Sequence, residues 1–148
     1  MLTFMPKIVF FPHSNKEFRD EYHLRDWLNV DLRIHKHGLY FLREARGLGD
    51  LEEGSVVFFH RNNQVVGSAV VDKAKRPTTE KERERRGEEY KHIVGFSPSS
   101  IWAFGDYEFV RISEAEKVVK KKLKRGYPVI DDITKLVELY KLVVTNLI

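Results

Sequence analysis

The sequence predicts an α+β fold, a small mixed or antiparallel β-barrel flanked by about three to four helices. Three observations predict it. About six short apolar runs, rich in β-branched and aromatic residues, are bounded by turn residues, as strands are. Few segments carry helical periodicity, and two of them close the chain. The resulting order is β-α-β-β-β, a charged excursion, more β, then two helices, which suits a barrel wrapped by few helices.

Each element has its own local reason. Lys7 to Phe11 reads as a buried first strand between Pro6 and Pro12. Ser14-Asn15-Lys16-Glu17 has the pattern of a capping box, so a helix is expected from near Asn15, with Phe18 and Tyr22 on one face and Trp27 and Leu28 closing the packing. Residues 29–38 alternate loosely in the manner of a strand, and Leu39 to Leu42 form another short one. Arg43 to Gly54 is polar and Gly-rich and reads as a loop. Ser55 to His60 and Gln64 to Val71 are β-rich on both faces, as central strands are. Asn62-Asn63 between them suits a tight hairpin turn, because Asn tolerates positive φ. Gly67 in mid-strand marks a bulge or a close approach to the backbone.

Residues 73–89 are almost wholly charged and read as a solvated excursion with a short helix opening at Thr78 or Thr79. Strands follow at Tyr90 to Phe96, Ile101 to Phe104 and Tyr107 to Ile112, with turns at Ser97-Pro98-Ser99-Ser100 and Gly105-Asp106. Ser113 to Glu116 is a second capping-box pattern, opening a helix that is acidic at its start, rich in Lys at its end and stopped by Gly126. Asp131 or Asp132 caps the last helix, with Ile133, Leu136, Val137, Tyr140 and Val144 as its buried stripe.

The chain has 148 residues, the size of one domain, so residues 1–148 are expected to form a single unit with the barrel at about 7–112 and the closing helices at about 113–148. With 42% hydrophobic and 32% charged residues, it can build a core and still carry a dense charged surface. It has no cysteine, which excludes disulfides, thiolate metal sites and thiol nucleophiles and suits a reducing interior. No apolar run approaches a membrane span, and the start of the chain has no signal-peptide pattern, so the expected location is cytoplasmic. The net charge of +4 leans toward polyanionic partners, while abundant Lys, Arg and Glu suit a heat-adapted source.

Several of these pieces resemble the PUA-like superfamily, especially its EVE branch, with the YTH and ASCH domains as cousins. They are Lys7 to Asn15 running into Lys16 to Trp27, Gly38 to Leu42, Leu51 to Phe59, and Gln64 to Val71 with its central Val-Gly. A late strand follows the charged excursion, so the resemblance covers residues 7 to 112. Phe10 and Phe11 stand where the EVE first strand usually carries tryptophan. The resemblance implies a PUA-like barrel that binds RNA, or reads a modified base in DNA or RNA. It also implies a role such as the recognition module of a modification-dependent restriction system. An apolar chain end, Val143-Val144 and Leu147-Ile148, suits a module accompanied by other domains of a longer polypeptide.

Reading one unpaired or flipped-out base takes aromatic walls for stacking, a few polar groups for the base edge and a basic rim for phosphates. The candidate walls are Trp102, Phe104 and Tyr40, with Trp27 beside them; Trp102 equally fits a core tryptophan closing the barrel. Candidates for the edge are Ser97, Ser99 and Asp106, then Ser14, Asn15 and Ser100, several of which also serve as plain caps or turn formers. For phosphates they are Arg83, Arg86, Lys121, Lys122 and Lys36. Lys117 to Arg125, with six cations and no acid, is the strongest electrostatic feature; a helix end rich in Lys for dipole reasons explains it too.

His35 and His37 share one face if their segment is a strand, the beginning of a metal pair that needs His13, His60 or His92 to complete it, and no third ligand is indicated. The expectation is therefore no metal and no cofactor. The chain has no phosphate-binding Gly loop, no His-Glu-x-x-His and no Gly-x-Ser-x-Gly. The leading expectation is a nucleic-acid-binding module without catalytic residues. The alternatives are a small ASCH-like nuclease or hydrolase on the same barrel, and a protein-interaction domain using residues 131–148.

Overall fold

Alternating apolar residues on two central strands organise the molecule, a computed structural model that describes residues 5–14, 16–43 and 47–145. Strand β1 (Ile8–His13) pairs in parallel with β3 (Val56–Arg61), in the register Ile8 to Val56 through His13 to Arg61. Successive side chains on a strand point to opposite faces. Val9, Phe11, Val57 and Phe59 therefore enter one buried cluster, and Ile8, Phe10, Val56 and Phe58 enter the other. Each buried Phe contributes roughly 1.5–3 kcal/mol relative to exposure, and no strand position from Val56 to Arg61 is exposed.

Parallel pairing demands a crossover. It runs through α1 (Glu21–Trp27), an eight-residue π-helical continuation (Leu28–His35) and β2 (Leu39–Leu42). The long strand β4 (Gln64–Pro77) follows β3 through the hairpin; Asn62 and Asn63 hold φ of 51° and 64° there, as expected of a tight turn with both central residues left-handed. One edge of β4 meets β3. Along its other edge lie β5 (His92–Phe96), β6 (Trp102–Ala103) and β7 (Val110–Arg111) in turn. The strand order is β2-β5-β4-β3-β1-β8, where β8 is Val129–Ile130. The chain is thus α+β, with an eight-stranded mixed sheet. The described pairings form an open path, and closure into a barrel is not among them.

Two glycines are required by their neighbours. A Cβ on Gly38, which has φ of +83°, would lie 1.9 Å from the carbonyl oxygen of Phe96, where β2 meets the end of β5. A Cβ on Gly67 would press on Leu28 and on the backbone of Trp102, and the β3–β4 register shifts beside it, between Phe59 and His60.

The helices depart from several expectations. Glu17 and Phe18 donate their N–H groups back to the Ser14 carbonyl, and α1 starts only at Glu21, capped by Asp20, whose Oδ1 accepts from the His23 N–H at 2.8 Å. Asn15, the expected start, lies outside the described residues. Residues 28–35 are helical and not strand-like, because Leu28 and Leu32 turn one face into the core. Thr79 caps α2 (Glu80–Arg86) with a complete capping box to Glu82, as expected. Helix α3 (Ile112–Val119) starts ahead of its predicted box and stops early, at left-handed Lys120. Residues 120–125 are consequently an irregular basic loop and not a helix end. In α4 (Lys135–Thr145) the buried residues are Leu139 and Val143, with Ile133, Leu136 and Tyr140 packed beside them; Val137 and Val144 face solvent instead.

Candidate base-binding cleft

The crossover and the edge of the sheet leave one aromatic cleft of about 220 Å³. His13 ends β1, Tyr40 lies on β2, Trp27 ends α1 and Phe18 belongs to the turn before it; all four line the cleft. Trp27 meets Phe18 and Tyr40 edge-on, at ring separations of 5.5 and 6.0 Å. Such edge-to-face arrangements fix ring orientation beyond simple burial. Phe41 and Tyr90, on either side of the β2–β5 edge, extend the wall outward. Trp27 and Lys36, both lining the cleft, flank an unusually long π-helical run, a backbone form that recurs at functional sites.

At the base of the cleft the His13 Nε2 and the Tyr40 hydroxyl are 2.7 Å apart. Burial lowers the His13 pKa to about 4, against a smaller opposite pull from the backbone carbonyls of His60 and Phe11, so the ring is neutral near pH 7. Its Nδ1 is buried without a hydrogen-bond partner among the described residues. Burial also raises the Tyr40 pKa well above the ordinary phenol value, reinforced by Tyr127, Glu17 and Tyr90. The floor is therefore an uncharged polar pair between aromatic walls.

The rim is charged. Lys36 follows the π-helical segment and Arg86 ends α2, and both line the cleft. Partial burial lowers the Lys36 pKa, and the charge of Arg86 lowers it further, with Asp31 acting in the opposite sense. Two cations that repel each other across a rim favour an anion between them. Arg86 also lies over the Phe41 ring at 5.3 Å, and Glu17 supplies a carboxylate on the same cleft.

Of the residues expected to form a site, Tyr40, Lys36 and Arg86 are brought together, with Trp27 beside them. The others lie elsewhere. Phe104 is fully buried in the second core cluster, and Trp102 stacks at 5.5 Å on Tyr140 of α4; both are packing residues and not walls of this cleft. Ser100 accepts from the Val70 N–H at 2.8 Å and, with Ser97 and Ser99, shapes a turn. Asp106 accepts from Arg25 at 2.9 Å. Arg83 donates to the Thr78 carbonyl at 2.6 Å, and Lys121 to the Val129 carbonyl at 2.8 Å, whereas Lys122 lines a separate basic cleft. His35 approaches Asp31 at 3.4 Å, and no cluster of three metal-ligating side chains occurs among the described residues.

Sequence reasoning did not place His13, Phe18, Phe41 and Tyr90 in the site. Of these, His13 entered the sequence reading only as a possible third ligand to a metal pair at His35 and His37.

No family model matches the chain, and no curated protein matches its sequence. Among the described residues no helix is long and apolar enough to cross a membrane. In its fold, the chain is similar to the YTH domain of the Zygosaccharomyces rouxii MRB1 protein, solved in complex with N6-methyladenosine RNA, with a TM-score of 0.51 and 13% identity over 93% of this chain and 86% of that one.

Proposed function

We propose that the protein is a non-catalytic nucleic-acid-binding module that takes one unpaired or flipped-out base into the cleft between Trp27, Phe18 and Tyr40. In this reading His13 and Tyr40 meet the base edge, while Lys36 and Arg86 hold a flanking phosphate. The observation that carries it is the convergence of aromatic walls, a neutral polar floor and two mutually repelling cations in one cleft. Its volume, about 220 Å³, is below the roughly 300–1,000 Å³ typical of drug-sized ligand sites and suits a single planar ring system.

The shared fold makes N6-methyladenosine in RNA the first ligand to test, with modified DNA bases alongside. The same reading treats the chain as a single PUA-like unit, used alone or beside other domains. Stacking is worth about 1–3 kcal/mol per base. Trp27→Ala should therefore weaken binding of an N6-methyladenosine-containing single strand roughly 5- to 150-fold, measured by fluorescence anisotropy, with an unchanged circular dichroism spectrum. Unchanged affinity in the folded variant refutes the assignment of this cleft.

A further inference from the structure

A second cationic surface lies outside the cleft. Five of the six residues from Lys120 to Arg125 are basic and none is acidic. The loop is held in place by its own chemistry. Leu123 is 0% exposed in the second core cluster, and its N–H is accepted by Glu116 at 2.8 Å. Lys120 and Gly126, both at positive φ, bound the segment. Anchoring Leu123 inward leaves its neighbours Lys122 and Lys124 at the surface.

Lys122, Lys124 and Arg125 line one depression with Glu116. Lys124 also lines an adjoining one with Arg111 and the Asn62-Asn63 hairpin. Among the described residues none of Arg111, Lys122, Lys124 and Arg125 lies in an ion pair, and the Glu116 carboxylate beside them accepts from the Leu123 N–H. A concentration of exposed cations that outnumbers its counter-charges attracts a polyanion.

The loop also leads to the base-binding cleft. Tyr127, two residues beyond Arg125 and so within about 7 Å along the backbone, packs edge-on against Phe11 at 5.2 Å. Phe11 in turn meets Tyr40 at 5.4 Å. The Tyr127 pKa is raised by burial and then by Glu17, a residue of the cleft.

We propose that Lys122, Lys124 and Arg125, with Arg111, form a second nucleic-acid contact holding the phosphate backbone of the same single strand whose base occupies the cleft. This rests on the base-reading function proposed above. The protein then binds a strand of several nucleotides far more tightly than a nucleoside, and the excess affinity is salt-dependent.

The test compares the full chain with Lys122→Glu/Lys124→Glu/Arg125→Glu and with Trp27→Ala. The probes are N6-methyladenosine and a ~10-nucleotide single strand carrying it, within the usual span of such sites, in RNA and DNA forms. The triple variant should lose at least about tenfold in strand affinity and about two from its log–log salt slope, at ~0.7 per phosphate contact. Its nucleoside affinity should stay unchanged. Strand affinity and salt slope equal to those of the unaltered chain overturn the second contact while leaving the cleft intact. If Trp27→Ala changes neither ligand, the cleft reading falls, and with it the claim that one strand spans both surfaces. A triple Gln variant, which removes charge without reversing it, should show the same direction of change; its failure to do so also overturns the proposal.

Discussion

Lowering the pH from 7 to 5 should destabilise this fold through His13. Burial holds its folded-state pKa at about 4, against 6.5 for an ordinary imidazole. Between those values the unfolded chain binds the proton and the folded chain does not, so unfolding is favoured as pH falls. The stability is fully present above about 6.5 and is lost progressively toward 4. Linkage over this interval gives a loss of about 2 kcal/mol at pH 5 and about 3 kcal/mol near pH 4. Burial, and then the neighbouring His13, likewise hold the His60 pKa at about 4, so the whole protein should lose more than His13 alone accounts for. The assay is urea denaturation of the unaltered chain and of His13→Gln at pH 7 and pH 5. Gln keeps a polar group beside Tyr40 and cannot titrate. It should lower stability at pH 7 yet lose about 2 kcal/mol less than the unaltered chain between the two pH values. Equal losses in both proteins would show that His13 is not the neutral buried floor of the cleft, and the description of its chemistry would be wrong.

Three further outcomes follow from single contacts. Gly38→Ala places a methyl group 1.9 Å from the Phe96 carbonyl oxygen at a positive φ, and should cost at least about 1–3 kcal/mol by denaturant titration. Phe104→Ala, in the opposite core cluster, should cost about 3–5 kcal/mol of stability and leave the ligand affinity of the folded fraction unchanged; a selective loss of affinity would restore Phe104 as a binding residue. Thr79→Ala removes the cap of α2 and should cost about 0.5–2 kcal/mol by the same titration. Because α2 carries Arg86 to the rim, that variant should also weaken strand binding more at low salt than at high salt.

Elements dictated by neighbouring residues were legible in the chain itself. Contiguous apolar residues require a buried strand at Lys7 to Phe11 and at Ser55 to His60. Paired asparagines define the hairpin, and Thr79 with Glu82 defines the start of α2. In each case the cause lies within a few positions. The charge of residues 117–125 was legible too, but not its form. Helical propensity favours continuing α3, whereas burial of Leu123 and the Glu116 cap end it at Val119.

The cleft divides along the same line. Composition supplied its ingredients, aromatic rings and cations in a cysteine-free chain, and the base-reading role that the family resemblance implied put Tyr40, Lys36 and Arg86 among the candidates. Long-range packing decided which rings became walls. Parallel pairing of β1 with β3 places His13 beside Tyr40, and Trp27 and Lys36, at the two ends of the π-helical segment, line the cleft with them. Trp102 and Phe104 have the same local signature, but Phe104 is buried in the second core cluster and half-buried Trp102 packs between it and Tyr140 of α4. A side chain's exposure is set by what arrives against it from distant positions, and only the folded chain makes that choice.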